Sequence, residues 1–315
     1  TGTDARYIET STGIRSEVAI PLVLHDRVIG VMDLESETVN FFNEEHVRTL
    51  GLLAPQVASA IENARLYQEA ASRQARMEAD LAAARRVQSL LLPTKAPPVE
   101  GLEIGMAMRP AREVTGDIYD IFELDDNNAL IAFGDSSGKG AAAALYGAMV
   151  TGLLKSFGTR RTSPARLMRQ LNDRLCERRV DGQYVTLLLA LWDATERTLT
   201  FVSAGSCLPV LLRDGVATRL NMEGIPLGLL DGRDYEEVVY HVQSNDTIGL
   251  FSDGFEDQGD PAGVHFGENS LVAAFLRYKK LSPAVLVEKM LAEVEAYRGG
   301  VAQHDDQSTL IIKIK

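Results

Sequence analysis

From Asn43 to Leu92 the apolar residues fall at helical spacing, and this stretch divides the chain before any other feature does. Val47, Leu50, Ala54, Val57, Ile61 and Ala64 step by 3, 4, 3, 4, 3. Alternating steps of this kind align one helical face as a coiled-coil-like seam. Asn43, followed by Glu44 and Glu45, supplies a cap and two acids for the first turn, where backbone N–H groups lack partners. Pro55 removes one helical hydrogen bond and is expected to bend the helix. A thinner stripe (Met77, Leu81, Ala84, Val87, Leu91) follows, with no Gly or Pro until Pro93. It predicts a helical, coiled-coil-like linker over 71–97 instead of a flexible tether. Between Gln68 and Gln74 the seam weakens, and a register shift is expected there. A stripe this long raises the expectation of a homodimer.

Before the helix, Ser16–Leu24 and Arg27–Leu34 alternate or run apolar around His25-Asp26, the pattern of a hairpin. They define a first portion, 1–70. After it, Pro97-Pro98 opens a third portion, 98–315. Its expected strands are Glu103–Met108, Ile118–Leu124, Ala129–Phe133, Val185–Trp192, Thr198–Ser203, Pro209–Arg213, Val238–His241, Thr247–Phe251 and Thr309–Ile314. Its expected helices are Ala141–Phe157, Pro164–Arg178, Ser270–Tyr278 and Pro283–Tyr297. Ser163-Pro164 and Ser282-Pro283 each read as an N-cap with proline in the first turn. Strands in runs and helices in pairs predict an α+β fold with mainly antiparallel sheets.

Composition narrows the function classes. The 315 residues carry a net charge of −12, which argues against a nucleic-acid partner, because neutralising phosphates needs clustered Lys and Arg. The two cysteines, Cys176 and Cys207, form no C-x-x-C, which argues against a zinc site or a disulfide framework and fits a reducing cytoplasm. No apolar run approaches the ~18 residues of a membrane span. The start at Thr1 points to a piece of a longer protein.

The stretch Ile131–Leu145, I-A-F-G-D-S-S-G-K-G-A-A-A-A-L, resembles a phosphate loop at first sight. Gly134 to Gly138 is one residue short of a Walker spacing, however, and Lys139 is followed by Gly140, not by a hydroxyl residue. A dinucleotide G-x-G-x-x-G is also missing. What recurs instead is an Asp at a strand end beside Gly: Gly116-Asp117, Gly134-Asp135 and Asp253-Gly254, joined by the pair Asp305-Asp306. Glycine lets backbone and cation come close. Several such carboxylates, with no convergent His or Cys, point to a hard divalent ion held by oxygen.

The blocks G-D-I-Y-D (116–120), G-D-S-S-G-K-G (134–140), S-A-G (203–205), G-I-P-L-G (224–228), F-S-D-G (251–254) and H-D-D-Q-S-T-L (304–310) resemble, in order and spacing, those of SpoIIE-type phosphatases. These are bacterial metal-dependent serine/threonine phosphatases related to the type 2C class. The resemblance spans about 78 to 315. The start of the chain, with S-E-V-A-I-P-L, R-V-I-G-V-M-D-L and A-I-E-N-A-R-L-Y, resembles the C-terminal half of a GAF domain. The resemblance implies an antiparallel β-sandwich flanked by helices, with two Mn²⁺ or Mg²⁺ at one end. Asp135 would bridge the ions beside the Ser136 carbonyl. Asp117 would serve one ion, Asp253 and Asp305 the other, and Asp306 could share or replace Asp305. Two close cations lower the pKa of a bridging water, which attacks phosphorus without a phosphoenzyme. Arg112 and Lys139 are candidate phosphate contacts, and Asp120 is a candidate neighbour of the ligands. The implied substrate is a phosphorylated STAS-domain anti-sigma factor antagonist, in a pathway sensed through the GAF portion. The helix over about 43–92 would carry the signal.

Departures from the family pattern are Thr115 for a second Gly, Ser136 for Val or Ala, and S-A-G-S-C-L-P (203–209) for an Asn-Ala-Gly-His-Asn-Pro-like segment. None removes a carboxylate. The alternative reading is a catalytically inactive module of the same fold that sequesters its partner. A nucleotide cyclase output lacks its glycine-acid loop here.

Overall fold

The computed structural model describes residues 13–158 and 162–315. The opening of the expected 1–70 portion, residues 1–12, lies outside the described residues. The chain divides into two compact units, Thr1–Ala79 and Asp80–Lys315.

In the first unit, β1 (Ser16–Leu24) and β2 (Arg27–Ser36) pair antiparallel. His25 and Asp26 connect them with φ of 46° and 60°, the two positive values a two-residue type I′ turn needs. Ile20 and Leu22 share one face of β1 and pack on Ala54 and Ala58 of α1 (Glu44–Gln88). The expected cap forms: Asn43 Oδ1 accepts the His46 N–H at 2.9 Å. α1 runs unbroken through both Pro55 and the weak stretch 68–74. Only the middle of the seam is covered, by Leu50, Ala54 and Val57, whereas Val47 and Ile61 remain exposed. Farther along, Met77 and Val87 are largely exposed. The linker expected over 71–97 is helical only to Gln88. Leu90 and Leu91 turn back onto the Val87 and Gln88 carbonyls. Pro93 disfavours helical conformation just before it, which accounts for the stop.

The second unit runs β3 (Leu102–Arg109), β4 (Asp117–Asp125), β5 (Asn128–Ser136), α2 (Ala141–Phe157), α3 (Pro164–Glu177), β6 (Val185–Asp193), β7 (Thr198–Ala204), β8 (Val210–Arg213), β9 (Val216–Arg219), β10 (Val238–His241), β11 (Thr247–Phe251), α4 (Asp253–Glu256), α5 (Gly267–Arg277), α6 (Pro283–Arg298) and β12 (Gln307–Ile314). Two five-stranded sheets result, ordered β10-β7-β6-β5-β4 and β3-β12-β11-β8-β9, with antiparallel neighbours throughout.

Alternation along the strands builds the layers. Tyr119 and Ile121 of β4 face inward and meet Ile248, Leu250, Leu310 and Ile312 of the other sheet. Ile118 and Phe122 face outward onto Val150 and Leu154 of α2 and Leu167 and Leu171 of α3. Across the sandwich, Phe251 and Ile311 are covered by Phe275 of α5 and Leu286 and Met290 of α6. The order is helices, sheet, sheet, helices. Ser163 Oγ accepts the Arg166 N–H at 3.3 Å, with Pro164 in the first turn, as the Ser-Pro pair predicts.

Candidate metal centre

Register across β4 and β5 sets Asp117 directly opposite Asp135. Like charges facing across a strand pair repel, and Asp117 is only 4% exposed. Gly116 permits the crowding: a Cβ there would stand 2.8 Å from Asp135 Oδ1 and 3.1 Å from the Ser136 carbonyl oxygen. The other sheet supplies the remaining acids. Phe251 pairs with Thr309, so Asp253, just beyond β11, and Asp305, just before β12, leave at one edge. Ser252 Oγ staples the two turns, donating to the Asp306 carbonyl at 2.9 Å and accepting the Ser308 N–H at 2.9 Å. Asp306 ties the sheets together: its carboxylate accepts the Ala111 N–H at 2.7 Å and the Gly116 N–H at 3.0 Å.

The carboxylates sense one another. Burial first, then Asp253, Asp305 and Asp306, push the Asp135 carboxyl up to about 7. Burial, then Asp135, holds Asp117 well above the usual carboxylate range, and its Oδ2 is enclosed without a hydrogen-bond partner. Asp253 reaches solvent, yet the crowded wall strips enough water to raise its carboxyl, with Asp305 and Asp257 adding to the effect. One ammonium faces the cluster. Lys139 Nζ lies 2.7 Å from Asp305 Oδ2 and donates to the His304 carbonyl at 3.1 Å.

A divalent ion fits this donor set. The donors are oxygen only, they carry excess negative charge, and an enclosed carboxylate oxygen lacks a partner; hard cations such as Mg²⁺ and Mn²⁺ take such ligands. Among the described residues, no three His, Cys, Asp or Glu side chains already close around one point.

The remaining candidates sort by geometry. Arg112 is exposed, and its guanidinium comes within 4.0 Å of where a Gly140 Cβ would be, at the rim of the Asp135 loop. The Ser136 hydroxyl donates to the Ala143 carbonyl at 2.7 Å and is not free to attack. Cys207 is half-buried, and burial, then Asp253, pushes its thiol up to about 12. Asp120 departs from expectation. Three residues along β4 from Asp117, it faces the helices and ion-pairs with Lys155 of α2 at 3.4 Å. Two contributors escaped sequence reasoning. Ser252 lies in F-S-D-G (251–254), where the sequence signals only a turn. Gln88 gave no local signal: its amide donates to the Thr115 carbonyl at 2.7 Å and accepts the Thr115 N–H at 3.1 Å, and the Thr115 hydroxyl accepts the Asp117 N–H at 3.0 Å.

The helix-flanked double antiparallel sheet is the fold of PP2C-type domains. The chain shares its fold with the SiaA-PP2C domain of Pseudomonas aeruginosa, at a TM-score of 0.69 and 22% identity, over 78% of this chain and all (100%) of that one. It also superposes on RsbX in complex with magnesium, at a TM-score of 0.52 and 15% identity, over 70% of this chain and 99% of that one. The chain belongs to the SpoIIE family: the family model "Stage II sporulation protein E (SpoIIE)" matches residues 125–315. A GAF domain model matches residues 4–62. Phosphoserine phosphatase RsbU of Bacillus subtilis (strain 168) is 32% identical over 184 residues, which make up 58% of this chain and 54% of that protein. The chain thus spans about half the length of that relative.

Proposed function

We propose that this chain is a divalent-cation-dependent serine/threonine phosphoprotein phosphatase, sensor-regulated through its GAF portion. The observation that carries the reading is that Asp117, Asp135 and Asp253, brought from two sheets to one edge, feel one another's charge and that of Asp305 or Asp306. Family membership and the phosphoserine phosphatase among the relatives support it.

In this reading the four carboxylates and the Ser136 carbonyl hold two Mn²⁺ or Mg²⁺. When bound, such ions lower the pKa of a shared water and offset charge on phosphoryl oxygens. Asp305 is proposed as the ligand of its pair: Asp306 is tied to the Ala111 and Gly116 N–H groups and positions the 111–116 loop, whereas Asp305 accepts only the adjacent Asp306 N–H and otherwise faces the exchangeable Lys139 ammonium. Arg112, with a guanidinium free of ion pairs and hydrogen bonds among the described residues, is placed to orient the phosphate from the rim. The substrate proposed is a phosphorylated STAS-domain anti-sigma factor antagonist, and the site of action the cytoplasm. A homodimer through the GAF portion and the linker helix would cover the exposed Met77 and Val87 stripe.

The test is release of phosphate from a phosphoserine STAS protein in Mn²⁺ and in excess chelator. Release only with Mn²⁺ supports the enzyme. Stable binding of the phosphoprotein without release, at any Mn²⁺ concentration, would establish the inactive sequestering module instead.

Regulation is proposed to reach the site through the end of α1. Gln88 braces Thr115, and Thr115 braces Asp117, all within one compact unit. Gln88→Ala removes two hydrogen bonds worth about 1–2 kcal/mol together. The expected result is Mn²⁺ activation shifted to about three- to tenfold higher concentration. An unchanged activation curve would remove this route.

A further inference from the structure

Lys139 stands in a loop shaped to aim it. Gly138 and Gly140 on either side have φ of 91° and 77°, left-handed values that favour glycine. The loop base is fixed as well: the Ser137 N–H donates to the Tyr184 carbonyl at 2.9 Å, and the Ser137 hydroxyl accepts the Tyr184 N–H at 2.8 Å. From this base, at the end of β5 in one sheet, the lysine crosses to Asp305 and the His304 carbonyl, which precede β12 in the other. It is the one cation paired with the carboxylate cluster among the described residues. A lysine used only to cap its own loop would turn back onto neighbouring carbonyls, and this one does not.

We propose that Lys139 is a tethered counter-ion that competes with a divalent cation for Asp305, so that uptake of the ion frees the ammonium to meet the phosphate dianion. The Oδ2 oxygen that pairs with the ammonium at 2.7 Å cannot take up a metal on the side that Nζ occupies. Ion uptake exchanges one cation for another at Asp305. A divalent ion adds a charge that the monovalent lysine cannot match, so the exchange runs forward as the ion concentration rises. The released side chain stays on a short leash between the two glycines, beside Arg112 at Gly140. Cation uptake and phosphate binding are thereby coupled through one residue. The inference rests on the reading above that Asp305 is an ion ligand.

A double-mutant cycle tests it, with Mn²⁺ binding by the full chain followed in calorimetry. Lys139→Gln should tighten the weaker Mn²⁺ step by about three- to tenfold, the worth of a partly exposed charged pair. In an Asp305→Asn background, Lys139→Gln should change Mn²⁺ affinity by less than about twofold, because the partner is gone. Inorganic phosphate binding to the Mn²⁺-loaded protein should weaken in Lys139→Gln by about fivefold or more, against the direction of the metal effect. Lys139→Ala carries the same expectations and guards against a bridging glutamine. Unchanged or weaker Mn²⁺ binding in both variants overturns the proposal. So does a gain that persists in Asp305→Asn, which would mark a diffuse field effect. If neither the wild type nor the variants take up Mn²⁺, the metal-centre reading falls and this inference with it; Mn²⁺ uptake unaffected by Lys139 removes the inference alone.

Discussion

Asp135→Asn is expected to abolish Mn²⁺-dependent phosphate release, by at least about a thousandfold, and at the same time to raise the melting temperature of the chain in chelator. Both effects come from one geometry. Asp135 stands opposite Asp117 across a strand pair, with Asp253, Asp305 and Asp306 as further like charges. Its carboxyl is pushed up to about 7 in the fold, from an ordinary value of 3.8. A raised carboxyl pKa means that the folded state binds the proton more tightly than the unfolded state. Ionisation therefore costs stability. The cost is absent below about pH 4, grows as pH rises, and is fully present above about pH 7. Asparagine keeps the shape without the charge, so the gain should be on the order of 2–4 kcal/mol at pH 8. That corresponds to about 5–10 °C in melting temperature for a chain of this size. At pH 4 the gain should vanish. Adding Mn²⁺ should reverse the ranking at pH 8, because a ligand stabilises only the protein that binds it. Thermal melts at the two pH values, with chelator and with Mn²⁺, check all three statements. A variant that melts below wild type in chelator at pH 8 would show that the charge is not stored strain.

The sheets of the larger unit are the part of the fold most legible in the sequence. Gly-Asp pairs at strand ends were visible as local patterns, and the two sheets were visible as period-two runs. Nine strands of the larger unit therefore lie close to their expected positions. Two elements left too little signal. β9 (Val216–Arg219) is an edge strand of mostly small or polar residues with its alternate positions exposed. α4 (Asp253–Glu256) is a single turn, shorter than any helical period can reveal. Asp305 and Asp306 share every local property as neighbours; what differs is their distant partners, Lys139 for Asp305 and, almost 200 residues earlier in the chain, Ala111 and Gly116 for Asp306. The same holds for Gln88 and Thr115, which are 27 apart, and for the direction taken by Lys139. Strand ends are legible one at a time, whereas pairings across the sandwich depend on how the sheets stack.

Gly254 tests how closely that stacking is tuned, and Gly254→Ala is expected to cost about a hundredfold or more in turnover while the chain still folds. A Cβ at Gly254 would stand 2.0 Å from the Asp306 carbonyl oxygen and 3.1 Å from that of Asp305. Both atoms are backbone, so no rotamer change relieves the clash, and the two turns must move apart. Around them, Ser252 Oγ holds the Asp306 carbonyl, and the Gln307 amide donates to the Gly254 carbonyl at 3.3 Å. Separation strains both contacts and widens the gap between Asp253 and Asp305. Overpacking of this kind costs about 1–3 kcal/mol of stability. A displacement near 1 Å at a reacting centre costs about a hundredfold in rate. The effect should fall on Mn²⁺ affinity as well, because the separated carboxylates lie on the same half of the site. Gly152→Ala is the matched control. Gly152 lies within α2, and its added Cβ would meet nothing within 4 Å, so helix propensity alone predicts a gain of about 0.5–1 kcal/mol with turnover unchanged. Turnover and Mn²⁺ titrations of the two variants side by side decide the matter. Wild-type turnover in Gly254→Ala would mean that the Asp253 and Asp305 turns tolerate separation, and that their close approach is not what sets the geometry of the centre.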